Sequence, residues 1–379
     1  MASKWMNKLR DMDNVVKRDY NPFANVIRTP SPSVNFSFGK GFGLPRGYSA
    51  SFYGPPGGGK SLLLNAVIGQ LHRDDPEAIA VKFDTEFREE AQLAPTEFAK
   101  WGIDPDRLIT FADNRPNIFD TISVDLEAMC QSGAPIALVG IDSINQIQGR
   151  RAMNQESIET QQIGDEALTI QTGLKRILPF QRKHHVGLIV CTHVRAEMDA
   201  LEQKRGNKTR MAGSFGMQHH IEYFLYIERN RNKDAKADLA GKVYEREGAG
   251  DVAGNADLTG HKIRTIMKKN SMSAQGRVGE FTLDYNLGIV NTHEEVFLLA
   301  TNRGVIERPN QTMYQFGGKE WKGKGAMVQA IKDHPEMQVE ILKELQRRDA
   351  EGVYAALDAA EAEALDVEES PEEAPRKKK

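Results

Sequence analysis

A glycine-rich segment between an apolar run and a helix-forming run has the composition of a phosphate-binding loop. Residues 54–61 read GPPGGGKS and satisfy the pattern G-x-x-x-x-G-K-[ST]. Because glycine has no Cβ, backbone N–H groups can converge on phosphate oxygens, and the start of the following helix adds its free N–H groups. Lys60 would neutralise the terminal phosphates, and the Ser61 hydroxyl would reach a bound Mg²⁺. The predicted nucleotide-binding residues are Gly54, Pro55, Pro56, Gly57, Gly58, Gly59, Lys60, Ser61 and Leu62.

Two acidic residues at predicted strand ends would add a hydrolytic function to this loop. Asp142 ends the apolar run IALVGID, where a carboxylate would lie beside Lys60 and Mg²⁺. Glu86 follows the run IAVKFD, and the carboxyl ends of parallel strands gather at one edge of a sheet. We therefore expect Glu86 to face the γ-phosphate and orient the attacking water, with Asp84 supporting it. The alternatives are a turn-capping aspartate and a surface glutamate.

A third strand end carries a histidine. His193 follows the run GLIVCT, where it could hydrogen-bond the γ-phosphate and report hydrolysis to the segment that follows. A lone histidine is more often structural, but the neighbouring motifs favour the sensor role. Cys191, two residues earlier, is expected to be a packed small apolar residue rather than a reactive thiol.

These side chains need a parallel sheet to bring them together. Seven short apolar runs alternate at first with helix-like segments, which predicts parallel strands joined by crossover helices, and then lie closer together, which predicts an antiparallel edge. The fold class is therefore α/β. The runs are residues 48–53, 79–84, 136–142, 187–192, 222–228, 262–267 and 280–285.

Two long basic segments leave the same predicted edge, 148–164 after the Asp142 strand and 194–217 after the His193 strand. Both exceed an ordinary connection, so they are either functional or disordered. Basic loops at this edge suit the backbone of single-stranded DNA, although a charge cluster is usually only a solvated face. The candidate DNA-binding residues are Arg150, Arg151, Arg195, Lys204, Arg205, Lys208, Arg210, Gly213, Phe215 and Gly216.

Composition excludes several classes of protein. The 379 residues are 40% hydrophobic and 27% charged, which is ordinary for a globular protein. No apolar run approaches the roughly 18 residues of a membrane span, the N-terminus lacks an apolar signal core, and two cysteines give no disulfide scaffold. We expect a cytoplasmic protein without a membrane partner. The net charge of −3 gives no argument for nucleic acid, so only local patches can supply one.

The chain divides into four predicted parts. Residues 1–34 form a short N-terminal segment, 35–290 the α/β core, and 291–357 a small helical module with apolar residues at helical spacing. Residues 358–379 are rich in acids and end in RKKK, which predicts a disordered tail.

The ordered set of motifs resembles the RecA-type recombinase family, most closely its phage UvsX-like branch. The motifs are GPPGGGKS, FDTEF at 83–87, WGIDPDRL at 101–108, GIDS at 140–143, TH at 192–193, AGSFG at 212–216 and GKGAMVQAIKDHPE at 323–336. The resemblance spans roughly residues 35–345. It implies a RecA-type P-loop NTPase core with a mostly parallel sheet, an N-terminal segment that docks on the next subunit, and a C-terminal helical module.

The same resemblance implies a function. Members of the family use ATP and Mg²⁺, polymerise on single-stranded DNA into a homo-oligomeric helical filament, and exchange strands with double-stranded DNA found in a homology search. Glu86 takes the position of the water-activating carboxylate, Asp142 that of the metal-orienting acid, and His193 that of the γ-phosphate sensor. Mediator and single-strand-binding proteins are further candidate partners. If the chain is phage-encoded, its expected location is the host-cell cytoplasm.

A further residue is assigned only by this resemblance. Lys269 matches a lysine that bacterial members present to the ATP of the neighbouring subunit, whereas the second such position holds Ser271. Lys268 or Arg277 could substitute for the missing lysine. The alternative is an ordinary lysine pair at a strand end.

Two other functions remain open from the sequence. A RecA-fold hexameric helicase or motor would share the nucleotide site, but it is expected to carry a partner-binding N-terminal domain, and only about 50 residues precede the loop. A nucleotide-switched assembly protein without strand exchange would also carry these motifs.

Overall fold

The computed structural model describes residues 21–88, 95–149, 164–196, 209–211, 216–230 and 260–369. The strands are β1 Val26–Ile27, β2 Leu44–Pro45, β3 Ser49–Gly54, β4 Ile79–Asp84, β5 Leu108–Ala112, β6 Ile136–Asp142, β7 Gly187–Ala196, β8 Thr209–Met211, β9 Tyr223–Arg229, β10 Gly260–Asn270, β11 Val278–Asp284, β12 Gly288–Val290, β13 Met313–Phe316 and β14 Lys319–Lys322. The helices are α1 Pro32–Ser37, α2 Lys60–Asp74, α3 Pro95–Trp101, a continuous helical stretch α4 (118–131), α5 Asp165–His184, α6 Met217–His220, α7 Thr292–Asn302, α8 Lys324–Asp333, α9 Pro335–Ala350 and α10 Ala355–Glu369.

One large sheet forms the centre of the protein. Its strands follow the order β12-β11-β10-β9-β3-β7-β6-β4-β5, and β8 pairs with the outer part of β7. The strands from β9 to β5 are parallel to their neighbours, whereas β10, β11 and β12 are antiparallel. The predicted α/β fold with a mostly parallel sheet and an antiparallel edge is confirmed.

Each face of the sheet buries its own apolar layer, because the parallel strands are covered on both sides. On one face α2 contributes Leu63, Leu64, Val67 and Ile68, which pack against strand residues such as Phe52. On the other face α4 and α5 cover the sheet through residues that include Ile122, Ile170, Leu174 and Ile177. Packing on both faces fixes the position of each strand relative to its neighbours. It therefore also fixes the edge of the sheet at the carboxyl ends of the parallel strands, which we call the rim.

The C-terminal module has a separate apolar core that recruits residues from near the N-terminus. Helices α7, α8 and α9 and the β13–β14 hairpin surround a cluster that includes Phe36 and Phe42. Helix α1 therefore spans the predicted boundary between residues 34 and 35, because its buried side chains join the core to this module. Helix α7, the first helix of this module, begins at Thr292.

The tail is where the structure differs most from the sequence prediction. Disorder was expected from Asp358 onward, yet α10 continues to Glu369 and Asp358 is buried at 4% exposure. The acid-rich composition misleads here because Asp358 and Glu361 have arginine partners far away in the chain, Arg277 and Arg303. The final part of the predicted tail, 370–379, lies outside the described residues, as do residues 1–20 of the N-terminal segment. Among the described helices, none is both long enough and apolar enough for a membrane span.

Candidate nucleotide site and its rim

The phosphate loop is a tight connection from β3 into α2. Gly59 caps the helix at φ +102, and a Cβ built there would lie 2.6 Å from Cδ1 of Ile263. Gly58 approaches the backbone so closely that a Cβ would lie 2.8 Å from the carbonyl oxygen of Ile227. Both positions therefore require glycine, for the turn and for its packing on the neighbouring strands. Pro56 and Gly57 form the exposed crest of the loop.

The side chain of Lys60 is buried beneath this loop. Its Nζ donates to the carbonyl oxygens of Gly54 and Pro55, each at 3.0 Å, and only 6% of the residue is exposed. Burial lowers the pKa of Lys60, while the carboxylates of Asp142 and Glu86 act in the opposite direction. A buried ammonium group beneath a glycine-rich loop at a helix N-terminus fits an anionic phosphate.

The strand register brings the predicted residues to one rim. Gly54 pairs with His193 across β3 and β7, and Asp84 pairs with Asp142 across β4 and β6. The Thr85 backbone N–H donates to the Asp142 carbonyl oxygen at 2.9 Å, which ties these two strand ends together. Three adjacent strands, β4, β6 and β7, therefore bring the side chains predicted for catalysis and sensing to the same edge of the sheet as the phosphate loop.

Glu86 is the centre of a hydrogen-bonded group at this rim. Its Oε1 accepts from Ser143 Oγ at 3.0 Å and contacts His193 Nε2 at 2.9 Å, and Arg88 Nη1 lies 2.9 Å from Oε2. Burial by itself would raise the pKa of Glu86, but the hydrogen bonds from His193 and Ser143 and the charge of Arg88 together lower it below its ordinary value. Glu86 is thus an ionised carboxylate at neutral pH.

Asp84 shapes the turn that carries Glu86. Its two carboxylate oxygens accept from the backbone N–H groups of Glu86 at 3.1 Å and Arg88 at 2.7 Å. Phe87 between them adopts φ +55, a left-handed conformation that closes the turn. This geometry agrees with the expected supporting role of Asp84, which is 4% exposed.

The protein groups suited to Mg²⁺ are few. Ser61, in the first turn of α2, and Asp142, at the end of β6, are both partly exposed near Lys60. Within the described part of the chain, no group of three or more His, Cys, Asp or Glu side chains could hold a metal ion alone. One hydroxyl and one carboxylate fit Mg²⁺, which commonly takes its remaining ligands from substrate phosphates and water.

Sequence reasoning missed two polar residues of the rim. Ser143 donates to Glu86, and Asn145 Oδ1 accepts from the His193 backbone N–H at 3.0 Å. Both lie just beyond Asp142, so their position after a strand end was the available signal. Cys191 is fully buried as expected, and burial raises the pKa of its thiol well above the ordinary value.

Lys269 lies away from this rim in its own chain. It pairs with Phe224 in the sheet, which is level with Ser51, whereas the loop begins three residues later at Gly54. Its Nζ donates to the carbonyl oxygens of Gln218 at 2.5 Å and Ile221 at 2.6 Å. Burial lowers the pKa of Lys269, while the charge of Glu222 acts to raise it.

Arg277 is excluded as a substitute for the second lysine. Its side chain is 2% exposed and is paired with Asp349 and Asp358, so it faces the interior rather than a neighbouring subunit. The sequence suggested otherwise because the acidic partners lie more than 70 residues away. Lys268 is half-buried in β10 and already takes part in other interactions.

The predicted DNA-binding residues lie mostly outside the described part of the chain. Arg195 and Arg210 are directly opposite each other in the β7–β8 ribbon, so β7 runs from the His193 rim into the second basic segment. Gly216 precedes α6 and lies against Gln171 of α5, where a Cβ would approach the Gln171 side chain to 2.5 Å. The others, outside the described residues, are Arg150, Arg151, Lys204, Arg205, Lys208, Gly213 and Phe215.

The chain was compared with family models and with curated proteins. No family model matches the chain. The chain is 25% identical over 362 residues to Protein RecA of Bordetella petrii, an alignment that covers 94% of this chain and 90% of that protein. It is 26% identical over 340 residues to Protein RecA of Cytophaga hutchinsonii, with 89% and 86% covered. A closer relation to the UvsX-like branch is not supported by these two relatives. Together with the P-loop core, these similarities over most of both chains support the RecA-type family for this protein.

Proposed function

We propose that the protein is an ATP-dependent DNA recombinase that forms helical filaments on single-stranded DNA and pairs it with homologous double-stranded DNA. The observation that carries the proposal is the 2.9 Å contact between His193 Nε2 and Glu86 Oε1. It joins a carboxylate suited to water activation to the strand that continues into the second basic segment. The named relatives support the same class of protein.

The described residues have defined tasks in ATP hydrolysis. The loop and Lys60 bind the phosphates, and Ser61 and Asp142 hold Mg²⁺, which when bound neutralises charge on the phosphate oxygens. Glu86, kept ionised by its neighbours, accepts a hydrogen bond from the attacking water and orients it. Ser143 holds the carboxylate in place.

His193 links the state of the nucleotide to DNA binding. With ATP bound, its imidazole can exchange the Glu86 contact for the γ-phosphate, because both lie at the same rim. Any shift of His193 is passed along β7 to Arg195 and the β7–β8 ribbon, since these residues belong to one continuous strand. Hydrolysis would then loosen the grip of the basic segments on DNA phosphates.

Lys269 acts on the nucleotide of a neighbouring protomer. Its distance from the loop of its own chain argues against a role there, and its partly exposed position suits a contact between subunits. A cation supplied across the interface stabilises charge on the transferring phosphoryl group, as arginine fingers do. ATP would thus join protomers, so that assembly and hydrolysis depend on each other.

Electron microscopy tests the proposed assembly. The protein is mixed with single-stranded DNA, Mg²⁺ and a slowly hydrolysed ATP analogue. Open helical filaments along the DNA are expected, because a head-to-tail interface whose rotation does not close generates a helix. Closed six-membered rings would favour the hexameric helicase instead, and free protomers would contradict both.

A further inference from the structure

The strand that carries Lys269 ends in a tightly held hairpin. We call residues 267–277 the lysine hairpin. The Met267 backbone N–H donates to the Arg277 carbonyl oxygen at 2.9 Å, and the Gly276 N–H donates to the Met267 carbonyl oxygen at 2.8 Å. The register between β9 and β10 shifts between Met267 and Lys269, which marks a bulge. Bulges re-aim side chains, so the hairpin sets where Lys269 points.

Helix α10 packs directly on this hairpin. Gly276 adopts φ +83, and a Cβ built on it would lie 2.8 Å from Cβ and 2.9 Å from Cα of Ala362. Gly276 is therefore required both by its conformation and by the approach of the helix. The next residue, Arg277, donates from Nη2 to Asp358 at 2.7 Å and from Nε at 3.1 Å.

This contact is a buried cluster of charges rather than a surface ion pair. Asp358 and the Arg277 and Arg303 side chains are each at most 5% exposed, and Arg303 Nη1 donates to Asp358 at 3.0 Å. Asp349 at the end of α9 is a second partner of Arg277. Losing one member leaves a buried charge without compensation, so the cluster favours a single position of α10.

The segment around α1 also contacts the hairpin. Asn270 Nδ2 donates to the Phe38 carbonyl oxygen at 3.1 Å, and Arg277 Nη1 donates to the Phe36 carbonyl oxygen at 3.1 Å. The Phe36 ring also lies 4.5 Å from the Arg277 guanidinium carbon. The lysine hairpin is thus in contact with both an N-terminal segment and the C-terminal helix.

We propose that α10 is a positioning element for the intersubunit lysine, acting through Asp358 and Ala362 on the lysine hairpin. The inference rests on the proposed function, in which Lys269 contacts the ATP of the next protomer. In this proposal, the start of the acidic tail, which forms α10, positions Lys269 on the surface that one protomer presents to the next. The nucleotide rim of the same protomer does not depend on it.

Two substitutions perturb α10 in different ways. Ala362→Phe inserts a large side chain against Gly276 and displaces the hairpin, and Asp358→Asn weakens the buried charge cluster. Ala359→Phe is the matched control, because Ala359 is exposed on the same helix. Turnover of ATP on single-stranded DNA should fall at least tenfold in the first two variants and stay near wild type in the control.

Mixing variants identifies the face that is damaged. In an equal mixture of Glu86→Gln and Lys269→Met, about a quarter of head-to-tail interfaces combine an intact rim with an intact lysine, so part of the turnover returns. Ala362→Phe and Asp358→Asn should recover turnover with Glu86→Gln, which supplies an intact lysine. They should not recover it with Lys269→Met.

The outcomes distinguish a failure of the proposed intersubunit site from a failure of the proposed role of α10. No recovery in the reference mixture of Glu86→Gln and Lys269→Met, with both variants present in the same filaments, would overturn the intersubunit site itself. If that mixture recovers but Ala362→Phe is rescued by both partners or by neither, α10 has no specific role on the lysine face. Wild-type turnover by Ala362→Phe would overturn the inference as well. Circular dichroism melting checks folding, and if Asp358→Asn does not fold, Ala362→Phe alone decides.

Discussion

At the scale of single residues, the proposed chemistry depends on a carboxylate that stays ionised although it is largely buried. The Glu86 side chain is 8% exposed, yet contacts from Ser143, His193 and Arg88 offset the burial. A carboxylate held in this way would need little reorganisation when water and nucleotide bind. Because His193 is one of these contacts, the ionisation of Glu86 depends on the position of His193.

Glu86→Gln should abolish turnover while ATP and DNA binding persist. The amide keeps the shape of the side chain but cannot act as a base, and loss of such a group typically lowers the rate by about 10²–10⁴-fold. Steady-state hydrolysis and equilibrium nucleotide binding are the two measurements. Glu77→Gln, an exposed glutamate after α2, is the control. Hydrolysis at the wild-type rate would remove Glu86 from this role.

A second buried carboxyl group predicts how stability changes with pH. Glu295 in α7 accepts from Ser31 and Ser33, and burial raises its pKa to about 8 despite these bonds. Between its ordinary value of 4.5 and about 8, the folded protein holds a proton that the unfolded chain has released. The contribution of Glu295 to stability is therefore complete below pH 4.5 and is lost as pH rises to about 8, by up to about 1.4 kcal/mol per pH unit.

Replacing Glu295 should remove its contribution to the pH dependence of stability. Glu295→Gln cannot ionise, so its melting temperature should exceed that of the wild type at pH 8 and fall less between pH 5 and 8. Thermal unfolding across this range measures the difference, and Glu294→Gln, at a partly exposed neighbouring glutamate, is the control. Parallel curves for wild type and Glu295→Gln would mean that Glu295 is ionised in the folded protein.

The site residues next to apolar runs could be predicted, because a polar residue where an apolar run ends indicates a side chain at the edge of the sheet. Asp142 and His193 follow long apolar runs, so their neighbours in space could be inferred without coordinates. Ser143 could not be singled out, because serine after a strand is common. Arg277 was misjudged because its acidic partners are remote in sequence, and no local pattern reports a buried ion pair.

At the scale of elements, the rim forms because β3, β4 and β6 end near the same level, while β7 passes this level at His193 and continues beyond it. The bounds of β4 and β6 equal the predicted runs, since both strands are buried on two faces and their apolar pattern is continuous. By contrast, β7 extends four residues beyond its predicted run to Ala196, where the sequence turns polar. That extension is supported by pairing with β8, a long-range contact that composition does not report.

The second basic segment should contribute measurable charge to DNA binding. Replacing Lys204 and Lys208 with Gln should make the salt dependence of affinity less steep, by roughly one unit of slope per lost phosphate contact. Affinity for single-stranded DNA is measured over a series of salt concentrations. The control replaces Lys332 and Lys343, which are exposed on α8 and α9. An unaltered slope in the first variant would place the DNA elsewhere.

At the scale of the whole molecule, the two halves of the proposed catalytic site lie on different parts of one chain. Glu86 lies at the rim, whereas Lys269, whose Nζ donates to the carbonyl oxygens of Gln218 in α6 and Ile221 just after it, lies toward the other end of the sheet. A complete site then forms only between two protomers. The apolar runs could predict the α/β core. The contacts of the lysine hairpin have no sequence signature, because its partners near α1 lie about 230 to 240 positions away and its partners in α10 about 80 to 90 positions away.

The most direct test measures ATP hydrolysis per protomer, with and without single-stranded DNA, over a range of protein concentrations. We expect strong stimulation by DNA and, without DNA, a rate per protomer that rises with protein concentration, because both conditions bring Lys269 of one protomer to the rim of another. A rate that is the same with and without DNA and independent of concentration would contradict this expectation, since each protomer would then hydrolyse ATP alone.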